Sequence, residues 1–397
     1  MKDDHRIGLR ALSALLLTLA FLTGCADALD RDQLNKRAQQ AHAEGRMEDA
    51  EADFHAALEA AQALGEDDPR LVESLNNLGQ FLRAGGRADL AAPYFLRALE
   101  IRERKLGPDA PELGRSYFNL AQHYQELGDL DEARRLCERA LEIREKNFGT
   151  DDVQLGEVLN QLGLIALLQQ DYAQAQTWLL RGIEIIQNGA RAGHPSLAIY
   201  HGNLAQTYLA QAKLDEAEAH YRSALTIVRM NEGPSSLLMA RAQKNLAEVL
   251  IFRGKADEAE EAYLHAVSIY ESLGAGVEGE LGLTLNNIAV LYRSARRYAD
   301  AEAAYLRAQQ LLERQPQPTD YAASQFNLGR LYMELSRYDD AEPLFVRSLA
   351  IYDRILGPDH ANSQLVRQVY ANMLRSTGRT EEAETLTAAA PPPADAE

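Results

Sequence analysis

The chain has 397 residues, 59 of them acidic and 41 basic, and a net charge of -18. It therefore lacks the basic face from which nucleic-acid binding draws most of its affinity, and surface charge does not suit it to docking on anionic lipid. Length alone predicts two or three globular domains, but Ala, Leu, Glu, Gln and Arg dominate, as expected of a helical array that grows without enlarging one core.

The first element is an address. Lys2, Arg6 and Arg10 precede the uncharged apolar run Ala11 to Thr23, and Leu22-Thr23-Gly24-Cys25 leads into a polar stretch from Asp27. A basic start, a short apolar run and a small residue at the boundary describe a secretory signal, and the run is short for a bilayer span of roughly 20 residues. The four residues ending at Cys25 resemble the bacterial lipoprotein processing box. That resemblance implies a signal peptide at 1–24, cleavage before Cys25, lipidation of Cys25 and a short linker to residue 32. It places the protein in the bacterial cell envelope, and Ala26 after the cysteine favours the periplasmic face of the outer membrane. The other reading is an ordinary cleaved signal with a chance cysteine.

Beyond the linker the sequence repeats itself. One Ala recurs at 50, 91, 133, 175, 217, 259, 301, 341 and 383, at steps of 40 to 42 residues. Thirteen residues ahead of it stands Leu78, Leu120, Leu162, Leu204, Leu246, Ile288 or Leu328. A small residue follows each of these, and Tyr124, Tyr208, Tyr292 and Tyr332 lie four after, on the same helical face. Each unit thus reads as two helices. Gly86, Gly128, Gly254 and Gly378 mark the turn between them, and acidic pairs such as Asp131-Glu132 and Asp257-Glu258 are expected to cap and charge the second helix. The second helix carries a buried stripe at 0, +4, +7 and +8 from the Ala, as in Ala133, Cys137, Ala140 and Leu141. Cys137 fills a slot held elsewhere by Phe54, Phe95 or Tyr221, so it reads as an inert buried thiol.

The order of these marks resembles the tetratricopeptide family. Asn76-Asn77-Leu78-Gly79, Asn286-Asn287-Ile288-Ala289 and the two Leu-Gly-Pro-Asp runs at 106–109 and 356–359 are similar to the long variant of kinesin light chains. The resemblance implies an all-α, right-handed superhelical solenoid of about nine helix-turn-helix repeats of about 42 residues over 33–387. Residues 388–397, rich in Ala and Pro, read as a disordered tail. The 40-residue step coincides with the proline-broken connection from Gln315 to Thr319, a place for a bend.

No phosphate loop, paired metal-ligand motif or nucleophile elbow occurs, so no catalytic residue, cofactor or metal is expected. His201 occupies the slot of Leu75, Tyr117, Leu159 and Leu285 and reads as packing, and the single Trp178 as core. One polar feature needs a cause of its own. Asn77, Asn119, Gln161, Asn203, Asn245, Asn287 and Asn327 stand immediately before the Leu marks, although Asn is a poor interior helix residue. Family resemblance implies that the six Asn contact bound peptide, with Gln161 departing from the pattern. The alternative is an amide bonding across neighbouring helices. Arg241 and Lys244, near Asn245, would favour an acidic or carboxylate-bearing partner. The expected function is a non-catalytic scaffold that binds a protein or extended peptide. A regulator sequestering a client is the second reading, and an enzyme with a non-standard site the third.

Overall fold

The computed structural model describes residues 30–66, 68–189, 193–315 and 317–388. The signal segment, Cys25 and nearly all of the expected tail lie outside these residues. The described chain is all helical and falls into two compact units that divide between Ile185 and Ile186.

In the first unit α1 (Arg31–Ala43) pairs with α2 (Met47–Ala63), α3 (Pro69–Ala84) with α4 (Ala88–Leu106), and α5 (Pro111–Glu126) with α6 (Leu130–Phe148). A single 3-10 turn at Val153–Leu155 leads into α7 (Gly156–Leu168), followed by α8 (Tyr172–Gly189), whose last turn crosses the division. The second unit holds α9 (Ser196–Ala210) with α10 (Leu214–Glu232), α11 (Leu237–Phe252) with α12 (Ala256–Leu273), and α13 (Glu278–Ser294) with α14 (Tyr298–Leu312). It ends with α15 (Pro318–Glu334) and α16 (Tyr338–Ile355), then α17 (Ala361–Ser376) and α18 (Thr380–Ala388). Within each unit a helix packs on its pair partner and on the next pair, and α5 touches α7 as α13 touches α15. These are the stacked helix pairs of a repeat array. The first helix starts at Arg31, two residues before the sequence boundary, because Asp30 caps it through a reciprocal pair with Gln33.

The sequence marks are the core. All nine register alanines are fully enclosed, and the seven Leu/Ile marks are buried with them. Each enclosed Leu contributes about 1.5–3 kcal/mol relative to exposure. Cys137 is buried as its slot predicts, and burial pushes its thiol up to about 12. Trp178 packs half-buried against the first unit's core.

Five residues before each register Ala the backbone enters the left-handed region. Glycine occupies that place at Gly45, Gly86, Gly128, Gly254 and Gly378, but Gln170, Ala212, Arg296 and Ser336 take it at φ of 56–61°. The turn is therefore set by the docking of the two helices, with glycine relieving strain where present.

The acidic pairs do not cap. The cap position of α2, α4, α10, α12, α14 and α16 is Arg46, Arg87, Lys213, Lys255, Arg297 or Arg337, none with a side-chain cap bond. Side-chain caps of second helices come from Asp129 and Asp171 instead. The acidic residues sit inside the first turn, where the helix dipole favours them and nearby arginines pair with several, as Arg135 does with Glu132 and Arg337 with Asp340. Most of the basic residues at this position reach back one repeat, whereas Arg46 pairs locally with Glu44 and Asp49. Arg87 pairs with Glu51, Lys255 with Glu218, Arg297 with Glu260, Arg337 with Glu302 and Arg379 with Glu342. Each of these glutamates directly follows a register Ala. Glu218 is the most enclosed, its side chain 7 % exposed. Burial opposes its ionisation, but Lys255, Arg222 and Arg253 outweigh that and hold it down at about 2.

Candidate partner-binding surface

The six asparagines and Gln161 all lie on first helices of the pairs, one step round from the buried Leu. Such a position is half-buried: each Asn is partly exposed, whereas Gln161 is buried. Four of the seven bond across to the preceding first helix. Asn77 Nδ2 donates to Asn35 Oδ1 over 3.1 Å, Asn327 Nδ2 to Asn286 Oδ1 over 3.2 Å, and Asn287 Nδ2 to Glu248 Oε1 over 3.4 Å. Gln161 Nε2 donates to Gln125 Oε1. These amides couple neighbouring repeats, as the structural alternative expects. Asn119 and Asn245 have no side-chain hydrogen bond among the described residues.

Asn203 and Asn245 meet at a cleft. The first helices α9 and α11 form its walls and α10 its floor, enclosing about 490 Å³ in the second unit. Tyr221, Ala224 and Val228 lie at the bottom, and Ile199 and Leu238 stand on the rim, 56 % and 41 % exposed. Gly202 faces the opening, with nothing within 4 Å of where a Cβ would stand. Gln206 and Glu248 lie beside the two asparagines. Asn287 and Asn327 are outside this cleft, and Asn77 lines a separate hollow of about 300 Å³ near His42 and Phe81 in the first unit.

Arg241 borders the cleft but is engaged: its Nε donates to Glu280 over 2.9 Å, and Glu280 also accepts from Tyr270. The sequence expectation of a cation awaiting a partner's carboxylate therefore does not fit Arg241. Lys244 is turned out of the lining, half-buried, and forms no ion pair among the described residues. Glu248 is raised above the usual carboxylate range by burial, with the nearby Lys244 charge pulling the other way.

A second hollow of about 500 Å³ lies between α10, α11 and α12. Several of its polar groups are already engaged. Arg222 bonds to Glu218 and Glu258, and Gln243 to His265.

The histidine pair missed by the sequence reading is His201 with His220, Nδ1 to Nδ1 at 2.9 Å, with Tyr208 stacked on His220. Burial, and then the neighbouring ring, lowers His201 to about 4; burial lowers His220 as well. Neutral rings at this distance require that one donates and the other accepts. Among the described residues no cluster of three or more His, Cys, Asp or Glu could hold a metal, and no helix is long and apolar enough to cross a membrane.

Comparison with known proteins bears on this arrangement. No curated protein matches the chain. Among solved structures, BtubC (BKLC) from P. vanneervenii superposes with a TM-score of 0.52 at 23% identity, covering 57% of this chain and 92% of that one. The apo form of RapI superposes with a TM-score of 0.59 at 12% identity, covering 91% and 97%. The apo quorum sensor NprR from B. thuringiensis gives 0.59 at 14% identity, covering 86% and 94%. These likenesses extend to the fold. The tetratricopeptide repeat profile matches residues 32–104, 73–146, 112–188, 195–272, 280–352 and 320–387. With nearly all of the described chain matched, this protein belongs to the tetratricopeptide repeat family.

Proposed function

We propose that the chain is a non-catalytic scaffold of the bacterial envelope, held by lipid on Cys25, that binds an extended segment of a partner protein in the α9–α11 cleft. The cleft carries this reading. It combines exposed apolar rim residues, Ile199 and Leu238, with an amide at Asn245 that no side chain among the described residues satisfies. A carboxamide both donates and accepts, so it can pair with one peptide unit of a partner backbone without regard to its sequence. Asn119 offers an amide of the same kind in the first unit.

A photo-crosslinking residue placed at Gln206, on the cleft wall, tests the site in cells. It should capture one or a few partner proteins that the same residue at Arg134, exposed on α6, does not. Equal patterns from both positions would end the cleft reading. The anchor has its own test. The intact mass of the purified protein should be that of a chain starting at Cys25 and carrying acyl groups, and Cys25→Ser should abolish that mass and leave the precursor. A wild-type mass without acyl groups would end the lipid reading. Several acyl chains give stable anchoring, where one holds only marginally.

A further inference from the structure

We infer that the α9–α11 cleft selects a partner segment in which a bulky apolar side chain stands next to a lysine or arginine. This rests on the peptide-binding reading of the cleft and specifies the chemistry of its occupant.

The apolar half follows from shape. Tyr221, Ala224 and Val228 form a floor with no charged group, and the open space in front of Gly202 gives a large side chain a way in. Ile199 and Leu238 would close over its flanks. Exposed branched residues on both lips of one depression are what such an anchor needs.

The basic half follows from which charges are already used. Arg241, the one cation in the lining, is neutralised by Glu280. Two carboxylates remain in the lining. Glu232 is exposed at the end of α10 and pairs with no cation among the described residues. Glu248 is half-buried on α11, and its hydrogen bond is a long one, 3.4 Å from Asn287. Lys244 acts on it from the same helix without forming a bridge. A carboxylate in this setting gains from a cation brought by a ligand, and an acidic ligand would meet two like charges that no salt bridge neutralises. Asn245, one turn before Glu248, holds the ligand backbone while Glu248 receives the basic side chain.

The test is selection of a displayed library of random linear dodecapeptides on the full-length protein in mild detergent. Enriched peptides should pair a large apolar residue with Lys or Arg within two positions. Synthetic copies of them should bind at least ten-fold more weakly to Glu248→Lys, and lose binding to Gly202→Trp and to Leu238→Ser. Gly202→Trp fills open space and Leu238→Ser changes an exposed side chain, so the two together keep the test valid if one variant misfolds. Enriched peptides that are acidic or neutral, yet lost with Gly202→Trp and Leu238→Ser, would overturn the charge inference and leave the cleft reading standing. Binding that neither variant affects would overturn both.

Discussion

Gly79 on α3 lies directly under the ring of Phe95 on α4: a Cβ at position 79 would stand 2.7 Å from the ring's Cε1. The same step of sixteen residues brings Gly329 against Phe345 and Gly163 against Leu179. The small residue after each Leu mark is thus the seat for the bulky residue four after the register Ala.

Gly79→Ala should therefore destabilise the first unit by about 1–3 kcal/mol, since overpacking outweighs the gain in helix propensity. Gly202→Ala, also inside a helix but facing open space, should stabilise by roughly 0.5–1 kcal/mol. Urea unfolding of the two variants decides the matter, and shifts of the same sign would contradict the packing account.

At the left-handed turn position Ala212 has φ of 56°, where Gly86 has 74°. An L side chain there costs roughly 1–2 kcal/mol, partly offset by glycine's larger loss of freedom on folding. Ala212→Gly is expected to raise the melting temperature, and Gly86→Ala to lower it.

Acid should weaken the second unit through His201. His201 falls from 6.5 in the unfolded chain to about 4 in the folded one. A group whose folded value is depressed by burial binds its proton more tightly when unfolded. Stability is then fully present above pH 6.5 and is lost as pH falls from there toward 4. His201→Leu, a residue its slot accepts at Leu75, Leu159 and Leu285, should narrow the difference between urea midpoints measured at about pH 7.5 and about pH 5. An unchanged difference would remove His201 from the account.

The amide line should split in two. Asn327→Ala removes a bond between neighbouring repeats and should cost about 0.5–1.5 kcal/mol without affecting a ligand in the α9–α11 cleft. Asn245→Ala breaks no side-chain bond and should leave stability unchanged or slightly higher, while weakening ligand binding severalfold. Thermal melts and peptide titration on both variants test this; destabilisation by Asn245→Ala with normal binding would make that amide part of the frame too.

The fold was legible because burial follows helical period, and period is written in the sequence. Ala133, Cys137 and Leu141 could be placed from spacing alone, and each is buried. Contacts between repeats were harder to read. Arg337 and Glu302 lie 35 residues apart, short of the repeat length, so only the stacking of successive helix pairs reveals their pairing. Arg241 and Glu280, 39 residues apart, are joined by the stacking of successive pairs, though no motif marks them as partners. His201 is legible through its slot, whereas His220 lies three after its register Ala, where other repeats carry residues as varied as Asp53, Tyr94, Leu136 and Trp178, so its pairing with His201 is not. The amides looked alike in sequence because all share one register. What separates them is the neighbour: Asn35 faces Asn77 and Asn286 faces Asn327, whereas Asn245 meets no side-chain partner among the described residues.

The pairing of five basic cap residues, Arg87, Lys255, Arg297, Arg337 and Arg379, with a glutamate 35 to 37 residues earlier has a consequence for how the chain comes into being. Every such link joins a helix pair to one already made. Within a unit, no contact has to wait for a distant part of the sequence, so loop-closure entropy is small and formation is fast. A growing chain can add pairs in order, the last finished pair serving as template for the next. Arg379, reaching back to Glu342, makes the last such link among the described residues.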